Sequence, residues 1–427
     1  MIRIYDFETI TPEQILNRDL RAEQSVEAVV DAIIADVRAR GDAALVDYAA
    51  KFDGAALTEE TLQVTKAEID EAFAATDPYF VETLRQAARN IEAFHRQQVH
   101  KNFVTTEQDG VVLGQKYTPI EKAGVYVPGG TAAYPSTVLM DVIPAKVAGV
   151  AEIVMTTPAG KDGRVNPVIL AAAATAGVTK IFKTGGAQAV AAMAYGTARV
   201  PAVDKIVGPG NVYVATAKRK VFGKVGIDMI AGPSEILVLA DGSCNPAWVA
   251  ADLLSQAEHD KLASAVLVTD SPELAKAVQA QLEVQIPLLP RAEIARTSID
   301  ENGKIILCSD LNKAIEAANI IAPEHLEICT DDPFAVLGKI KNAGSIFLGK
   351  NAPEALGDYF AGPNHTLPTS GTARFSSPLG VDDFVKKSSF LYYTRSALEA
   401  VAPRIADFAE REGLHAHARS VTIRCEE

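Results

Sequence analysis

From about residue 111 onward, short runs of β-branched and apolar residues alternate with alanine-rich stretches of helical character. A regular alternation of strand and helix is typical of a parallel sheet with helices on both of its faces. The chain is therefore predicted to be an α/β protein with two tandem, incomplete Rossmann-like parallel-sheet domains. The strands are predicted at residues 124–127, 152–156, 180–183, 204–207 and 235–239 in the first series, and at 263–268, 304–308, 326–330 and 345–348 in the second.

Both ends of the chain depart from this alternation. Near the N-terminus, Thr11-Pro12-Glu13-Gln14 has a capping Thr, a Pro at the first helical position and a Gln that can reach back to the cap. The first hundred residues are predicted to be mainly helical. After Gly380, we expect a short strand at 390–393, one helix, and a tail that carries His415 and His417. Because this extension has little core of its own, it should pack on the rest of the chain or on a second subunit.

Charge and composition exclude several classes of protein. The formal net charge of −13 repels phosphate, so nucleic acid is not an expected partner. The charge is compatible with a small cationic substrate, although many proteins are this acidic for solubility alone. No apolar run approaches the roughly 18 residues of a membrane span, and the chain starts without a secretory signal. The four cysteines lie far apart and none has the context of a catalytic thiol, so we predict free thiols in a cytoplasmic protein.

Four glycine-bearing turns are expected to follow strands. Glycine at such a turn lets the backbone approach a ligand, and the following helix offers free amides to a phosphate. One of them, Gly208-x-Gly210-x-x-Tyr213, resembles a dinucleotide fingerprint but has Tyr where close packing needs Gly. Glycine is also the ordinary residue of tight turns, so these motifs do not identify a ligand. The four turns are Pro128-Gly129-Gly130, Gly185-Gly186-Ala187-Gln188, Gly208-Pro209-Gly210-Asn211 and Gly232-Pro233-Ser234.

Several scarce polar residues could bind a metal ion. Gln256 and His259 are three residues apart on a predicted helix, so they share one face, although the spacing alone favours an ordinary helix surface. Asp358 and His365 lie in a long segment rich in Gly and Pro, which is typical of a functional loop. Imidazole, carboxylate and amide ligands together suit zinc or a similar divalent ion.

The adjacent pair Glu324–His325 is the candidate catalytic centre. It follows an apolar segment and a Pro, and it precedes an apolar segment that resembles a strand. The ordinary pKa of His, about 6.5, lies near neutral pH, so His325 suits a general base, and Glu324 could activate water. A solvent-exposed loop end is an equally good interpretation of the pair alone. His95 and His100 lie on a charged helix and are predicted to be surface residues.

Longer motifs make the chain similar to one family. In order, it contains YVPGG, GGAQAVAAMAYGT, VDKIVGPGN, AGPSEILVLAD, SQAEHD, APEHLE, GDYFAGPNHTLPT and EGLHAHARS. These segments resemble histidinol dehydrogenase from about residue 20 to the C-terminus. The resemblance implies oxidation of L-histidinol to L-histidine, the last step of histidine biosynthesis, through bound L-histidinaldehyde with two NAD reduced in sequence. It also implies one zinc ion per subunit and a homodimer whose active sites are built at the subunit interface.

The resemblance further implies roles for single residues. His325 would take the alcohol proton and later the hydrate proton, and Glu324 would activate the hydrating water. The zinc ligands would be Gln256, His259, Asp358 and His417, with His417 supplied by the second subunit. The substrate contacts would be Ser234, Gln256, His259, His325, Asp358, His365, Glu412 and His417, and the NAD contacts Tyr126, Gln188 and Asn211. His415 matches none of these roles.

We expect four regions along the chain. Residues 1–23 would form an N-terminal helical segment, and residues 24–125 together with 234–379 a first α/β domain for substrate and zinc. Residues 126–233 would form a second α/β domain for NAD, and residues 380–427 a C-terminal dimerisation segment. Because the dinucleotide fingerprint is incomplete, we expect NAD to bind loosely and outside the usual doubly wound mode.

Three alternatives stay open. A related enzyme could oxidise another small alcohol, although the set His365, Asp358, Glu412 and His417 favours a substrate with an imidazole ring. A zinc hydrolase would use no nicotinamide and would give no NADH with histidinol and NAD. A non-catalytic binding module would have no need of the Glu-His pair beside a complete set of ligands.

Overall fold

The computed structural model describes residues 1–15, 21–129 and 133–426. The strands, numbered in chain order, are β1 (Arg3–Asp6), β2 (Phe103–Thr105), β3 (Val111–Pro119), β4 (Lys122–Tyr126), β5 (Glu152–Thr157), β6 (Lys180–Lys183), β7 (Lys205–Val207), β8 (Gly226–Ile227), β9 (Glu235–Ala240), β10 (Ser264–Thr269), β11 (Lys304–Leu307), β12 (His325–Cys329), β13 (Ser345–Leu348) and β14 (Val385–Tyr393).

The α-helices are numbered in the same way. They are α1 (Pro12–Ile15), α2 (Arg21–Arg40), α3 (Asp42–Tyr48), α4 (Lys66–Ala75), α5 (Pro78–His95), α6 (Pro135–Ala148), α7 (Pro167–Ala176), α8 (Gly186–Tyr195), α9 (Val212–Val221), α10 (Pro246–Ala257), α11 (Pro272–Gln285), α12 (Ala292–Glu301), α13 (Leu311–Ile321), α14 (Pro333–Leu337), α15 (Glu354–Leu356), α16 (Arg395–Arg411) and α17 (His415–Thr422).

Six strands form the first sheet, in the order β1-β11-β10-β9-β12-β13, and every pairing in it is parallel. Helices α10, α11 and α12 cover one face, and α13 covers the other. Because both faces are covered, a central strand is expected to be largely apolar, and all six residues of β9, five of them apolar, are buried.

Five strands form the second sheet, in the order β6-β5-β4-β7-β8, again with parallel pairings. Helices α6 and α7 cover one face of this sheet, and α8 and α9 cover the other. The predicted α/β class with two parallel sheets is therefore confirmed.

The N-terminal helices pack on the helices that cover the second sheet. Helix α2 lies against α8 and α9, α4 against α7, and α5 against α6. Val30, Ile33 and Val37 of α2 are buried in the same apolar cluster as Val190 of α8 and Val214 of α9. The predicted boundaries joined residues 24–125 to residues 234–379. These boundaries stay a prediction, and the structure shows that the apolar face of α2 is covered by helices of the second sheet.

The chain begins with a strand and not with a helix. Strand β1 runs parallel to β11 at the edge of the first sheet. The prediction of a helical segment over residues 1–23 was wrong at this point, because a four-residue edge strand with mostly exposed side chains has no apolar alternation to detect. The predicted helix start is confirmed: Gln14 N–H donates to Thr11 Oγ1 at 3.3 Å, and Thr11 N–H to Gln14 Oε1 at 3.0 Å.

Both parallel sheets belong to one compact unit, which consists of Met1–Gln98 and Ile120–Phe384. A second unit consists of Val99–Pro119 and Val385–Glu427. It contains an antiparallel sheet in the order β14-β3-β2, followed by α16 and α17, which pack on each other. One helix was predicted here, and the structure adds α17, which carries both His415 and His417.

One predicted surface histidine is buried. His95 is 0% exposed, and its Nδ1 lies 2.8 Å from Gln98 Oε1. It belongs to the apolar face of α5, in register with Leu84, Ala87 and Ile91 at helical spacing, so the prediction failed because it weighed the charged neighbours and not the face. His100 is exposed, as predicted.

The cysteines are free thiols, as predicted. Cys244, Cys308 and Cys329 are buried free thiols, and Cys425 is an exposed one. Within residues 1–15, 21–129 and 133–426, none of the helices combines the length and the apolar character that crossing a membrane requires.

Candidate active site

The amino end of β12 carries Glu324 and His325 into the protein interior. Strand β12 lies between β9 and β13, and Ala322, with φ of +50°, turns the chain from α13 into it. Glu324 is 7% exposed and His325 is 4% exposed. The interpretation of this pair as a solvent-exposed loop end is therefore wrong.

The Glu324 carboxylate is held by the neighbouring strand. Its Oε2 accepts a hydrogen bond from the N–H of Glu235, the first residue of β9, at 2.8 Å. Burial raises the pKa of Glu324 to about 8, against the opposing effects of the His325 ring and of the Glu235 N–H. A carboxyl group with such a pKa is a stronger base than an exposed one, and it can exchange a proton near neutral pH.

The His325 ring bridges the backbone and a group of carboxylates. Its Nδ1 lies 3.1 Å from the carbonyl oxygen of Glu235 and 3.0 Å from Gln256 Nε2. Its Nε2 lies 3.5 Å from Asp358 Oδ1 and 3.8 Å from Glu354 Oε1. Burial alone would lower the pKa of His325, but the carboxylates of Glu354, Glu324 and Asp358 hold it well above the ordinary 6.5.

Gln256 meets His325 because α10 covers the face of the first sheet to which His325 points. Gln256 is 1% exposed in the last turn of α10, and its Nε2 lies 3.0 Å from His325 Nδ1. The same Nε2 donates to Glu354 Oε1 at 2.9 Å. The helix-surface interpretation is therefore wrong for Gln256.

His259 lies just beyond the end of α10. Its N–H donates to the carbonyl of Gln256, and the residue is exposed to solvent. The surrounding protein lowers the pKa of the His259 ring, and the Asp358 carboxylate opposes this. His259 and Asp358 are thus close enough to interact electrostatically.

Glu354 is a site residue that the sequence analysis missed. It is 3% exposed, and burial raises the pKa of its carboxyl to about 7, which His325 opposes. Its N–H donates to Oε1 of Glu327, a buried carboxyl two residues after His325 on β12. Two signals could have indicated these residues: Glu354 precedes Asp358 by one helical turn, and Glu327 is a carboxylate in an otherwise apolar strand, on the same face as His325.

Two groups of side chains have the geometry to hold a metal ion. The ligand atoms of His325, Glu354 and Asp358 lie within 4.8 Å of one another, and so do those of Asp252, Glu327 and Cys329. In the described part of the chain, His325 Nε2 is buried without a hydrogen-bond partner. Of the predicted zinc ligands, Asp358 belongs to the first group, Gln256 adjoins it, and His417 is a residue of the second unit.

The remaining predicted substrate contacts fall into two sets. Ser234 and His365 belong to the first unit: Ser234 directly precedes β9, and His365 is half-buried. Burial lowers the pKa of the His365 ring, and Asp358 opposes this. Glu412 and His417 are exposed residues of the second unit.

Two of the predicted NAD contacts lie together at the carboxyl edge of the second sheet. Tyr126 ends β4, and its hydroxyl accepts a hydrogen bond from Gly186 N–H at 3.1 Å. Burial raises the pKa of Tyr126 to about 12. A Cβ on Gly186 would lie 2.8 Å from Gln188 Oε1, so the buried Gln188 side chain covers this glycine.

Asn211, the third predicted NAD contact, also caps a helix. Its Oδ1 caps α9 by accepting hydrogen bonds from the N–H groups of Tyr213 at 3.1 Å and Val214 at 3.2 Å. The turn that begins at Gly208 follows β7, so it lies at the same carboxyl edge as Tyr126.

One glycine turn lies elsewhere. Three of the four follow strands β4, β6 and β7 of the second sheet, although Gly130 falls outside the described residues. The fourth, Gly232-Pro233-Ser234, precedes β9 and lies at the amino edge of the first sheet, beside Glu324. Its Gly232 N–H donates to Thr369 Oγ1 at 2.6 Å.

Comparison with known proteins identifies the family. The family model described as histidinol dehydrogenase matches residues 16–425. The chain belongs to the histidinol dehydrogenase family. The curated histidinol dehydrogenase of Syntrophotalea carbinolica is 58% identical over 401 residues, covering 94% of this chain and 93% of the relative, and that of Bacillus subtilis is 57% identical over 395 residues, covering 92% of each. The crystal structure of histidinol dehydrogenase from Elizabethkingia anophelis matches with a TM-score of 0.95 at 38% identity, covering 100% of this chain and 98% of that one.

Proposed function

We propose that this protein oxidises L-histidinol to L-histidine through bound L-histidinaldehyde and reduces two NAD in succession, which is the last step of histidine biosynthesis. The observation that carries the proposal is the buried Glu324–His325 pair. Burial raises the pKa of Glu324 to about 8, the neighbouring carboxylates raise the pKa of His325, and both groups lie beside the carboxylates and the amide that a cationic substrate and a metal ion would need.

His325 would serve both oxidations as the proton acceptor. Loss of a hydride from an alcohol requires removal of the O–H proton, and Nε2 is the ring atom that faces the carboxylates. In the described structure these carboxylates favour the protonated ring. A cationic substrate that neutralises Glu354 and Asp358 would lower the pKa of His325 and release its base form.

Glu324 would serve the second oxidation. The aldehyde must be hydrated before a second hydride can leave, and this requires a base for the attacking water. A pKa of about 8 makes Glu324 such a base, and the bond from Glu235 N–H fixes the direction of its carboxylate.

We propose zinc, one ion per subunit, bound by Gln256, His259, Asp358 and His417 of the partner subunit. The donor set fits the ion: Gln256 Nε2 donates to Glu354, so the amide nitrogen is engaged and the amide oxygen is the atom left for a cation. The buried His325 Nε2 and the Asp358 carboxylate lie beside it. When bound, zinc would orient the imidazole and amine groups of the substrate.

We propose that NAD binds at the carboxyl edge of the second sheet, where Tyr126, Gln188 and Asn211 lie. A cavity of about 770 Å³, a size that suits a cofactor, adjoins this edge through Pro128, Gly129 and Pro158, although Tyr126, Gln188 and Asn211 are not among the residues that line it. Helix α8 begins at Gly186, and its N-cap residue Gly185 makes no side-chain hydrogen bond, so the N-terminus of this helix suits a phosphate beyond the bond from Gly186 N–H to Tyr126. The residues that line the cavity include Phe52, Asp53, Pro128, Gly129, Thr157 and Pro158.

We propose a homodimer in the cytoplasm, with residues 380–427 as the dimerisation segment. Glu412 and His417 are exposed in a unit separate from the catalytic pair, as expected of residues that complete the site of another subunit. Exposed apolar side chains of this unit, Leu391 and Phe408 among them, would be covered in the dimer.

A comparison of substrates tests the proposed specificity. Initial rates of NADH formation would be measured with L-histidinol and with L-leucinol, an amino alcohol without an imidazole ring. We expect activity with L-histidinol and a rate lower by several orders of magnitude with L-leucinol. Comparable rates would favour a dehydrogenase for other small alcohols, and the absence of NADH with both would favour a hydrolase or a binding protein.

A further inference from the structure

A buried ion pair binds both backbone polar groups of one glycine. Lys218 on α9 and Asp228 after β8 form the pair, with side chains 2% and 1% exposed. Asp228 Oδ2 accepts the hydrogen bond from Gly208 N–H at 2.8 Å, and Lys218 Nζ donates to the Gly208 carbonyl at 2.9 Å. The two charges therefore hold the first residue of the Gly208-Pro209-Gly210-Asn211 turn from both sides.

The conformation of this turn leaves little freedom. Gly208 has φ of +113°, a conformation that only glycine adopts readily. A Cβ there would collide with the carbonyl oxygen of Tyr126 and would lie 3.0 Å from Asp141 Oδ2. The turn thus packs directly on the residue that ends β4, which is itself a proposed NAD contact.

The far end of the same turn is fixed too. Asn211 caps α9, and Lys218 lies two turns further along that helix. The ion pair and the cap together fix the turn at its first and fourth residues. Because hydrogen bonds with charged partners are stronger than neutral ones, the pair is well suited to hold a backbone segment in one place.

The cost of burying these charges indicates a role beyond stability. A buried ion pair is often no more stabilising than apolar residues of the same volume, because both charges lose their hydration. Here each charge also makes a hydrogen bond to the backbone of a turn beside the proposed cofactor site. An apolar pair would fill the space but could not hold the Gly208 peptide groups.

We propose that Lys218 and Asp228 are positioning residues for NAD, which hold the Gly208–Asn211 turn where the Asn211 side chain meets the cofactor. The inference rests on the proposed use of NAD at this edge of the sheet. Neither residue needs to touch the cofactor. Their effect should therefore appear in the affinity for NAD and not in the affinity for the alcohol substrate.

The test uses three variants of the full chain. Asp228→Asn removes one charge, and the double variant Lys218→Met/Asp228→Leu removes both, so no unpaired charge stays buried and the fold is retained. Lys218→Arg keeps the positive charge, so this variant should retain part of the affinity for NADH. We expect Kd for NADH, followed by its fluorescence without histidinol, and KM for NAD to rise about tenfold or more, with KM for histidinol nearly unchanged.

Asp42→Asn is the matched control. Asp42 is a buried carboxylate that accepts hydrogen bonds from Thr197 Oγ1 and, at 3.0 Å, from Arg199 N–H, in the loop that enters β7 from its amino end. This variant should lower the melting temperature without changing Kd for NADH. A folded double variant with wild-type Kd, or an equal rise of Kd in the control, would overturn the inference. Because NADH binding is measured without histidinol, this result is independent of the proposed substrate.

Discussion

At the scale of single residues, Glu324 and His325 are neighbours whose environments differ. The Glu324 carboxylate is bound by one backbone N–H, whereas the Nε2 edge of His325 faces two carboxylates. Replacing His325 by Asn removes the proton acceptor and keeps a polar side chain. We expect turnover to fall by about 10²-fold or more in steady-state kinetics, with a small change in KM for histidinol. His100→Asn, at an exposed position, is the control, and near-normal turnover of His325→Asn would refute the assignment.

The role of Glu324 can be separated from that of His325 by the two half-reactions. Glu324→Gln should spare oxidation of the alcohol more than oxidation of the aldehyde, because only the aldehyde needs hydration. A base acts in its deprotonated form, so the wild-type rate of aldehyde oxidation should increase as pH rises toward about 8, the pKa of this carboxyl. The variant should lack this increase. Equal losses in both half-reactions would count against the division of roles.

Side-chain type and local context made Glu324 and His325 a candidate pair, but they left a solvent-exposed loop end equally open and did not indicate the residues around the pair. Glu354 and Glu327 contact each other across 27 residues of sequence, and only the packing of α15 on β12 brings them together. His95 shows the opposite error: it was predicted to be exposed because its sequence neighbours are charged, although it lies on the apolar face of α5. Residue chemistry thus selected the candidate reactive groups, whereas the groups that change their pKa depend on tertiary contacts.

At the scale of elements, Asp141 joins α6 to the segment that carries His365. Its Oδ1 accepts a hydrogen bond from Thr366 Oγ1 at 2.7 Å, and burial raises its pKa from the ordinary 3.8 to about 8. A raised carboxyl pKa means that the folded state holds the proton more tightly. Its contribution to stability is therefore complete below about pH 4 and decreases as pH rises toward 8.

Asp141→Asn should remove this pH dependence, because Asn resembles the protonated acid at every pH. The free energy of unfolding of the wild type, measured by urea titration at pH 5, 7 and 8.5, should fall relative to that of the variant as pH rises. Comparing the two proteins cancels the titration of all other groups. A constant difference between them over this range would show that Asp141 does not have a raised pKa.

The order of the elements was largely predictable from periodicity. The strand predicted at 180–183 is β6, and the one predicted at 152–156 is β5 with one residue added. Strands β1 and β3 were missed: β1 is a short edge strand, and β3 pairs with β14, which lies almost three hundred residues away in sequence. Local sequence patterns identify a buried parallel strand, whereas an exposed strand is recognised only from the strand with which it pairs.

At the scale of the whole molecule, the proposal requires two subunits for one active site. Mixing inactive His325→Asn and His417→Ala chains should restore part of the activity, because one site of each hybrid dimer would receive an intact His325 and an intact His417. The activity of the mixture after dissociation and reassociation is the measurement. A mixture as inactive as its components would contradict a shared site.

The packing of the N-terminal helices could not be derived from the sequence. The apolar face of α2 is evident from Val30, Ile33 and Val37, but that face is equally compatible with either sheet. The selection of α8 and α9 as its neighbours depends on the shapes of the two faces, which appear only in the folded chain. The fold class was therefore predicted correctly, whereas the neighbours of α2 could not be predicted and the domain boundaries stay a prediction.

The number of NADH molecules formed per L-histidinol, followed by absorbance at 340 nm with limiting substrate, tests the central claim most directly. We predict two NADH per histidinol, loss of this activity after treatment with a chelator, and its return when zinc is added. One NADH per histidinol would contradict the four-electron reaction and the role of Glu324. The absence of NADH from the untreated protein would contradict the proposed function as a whole.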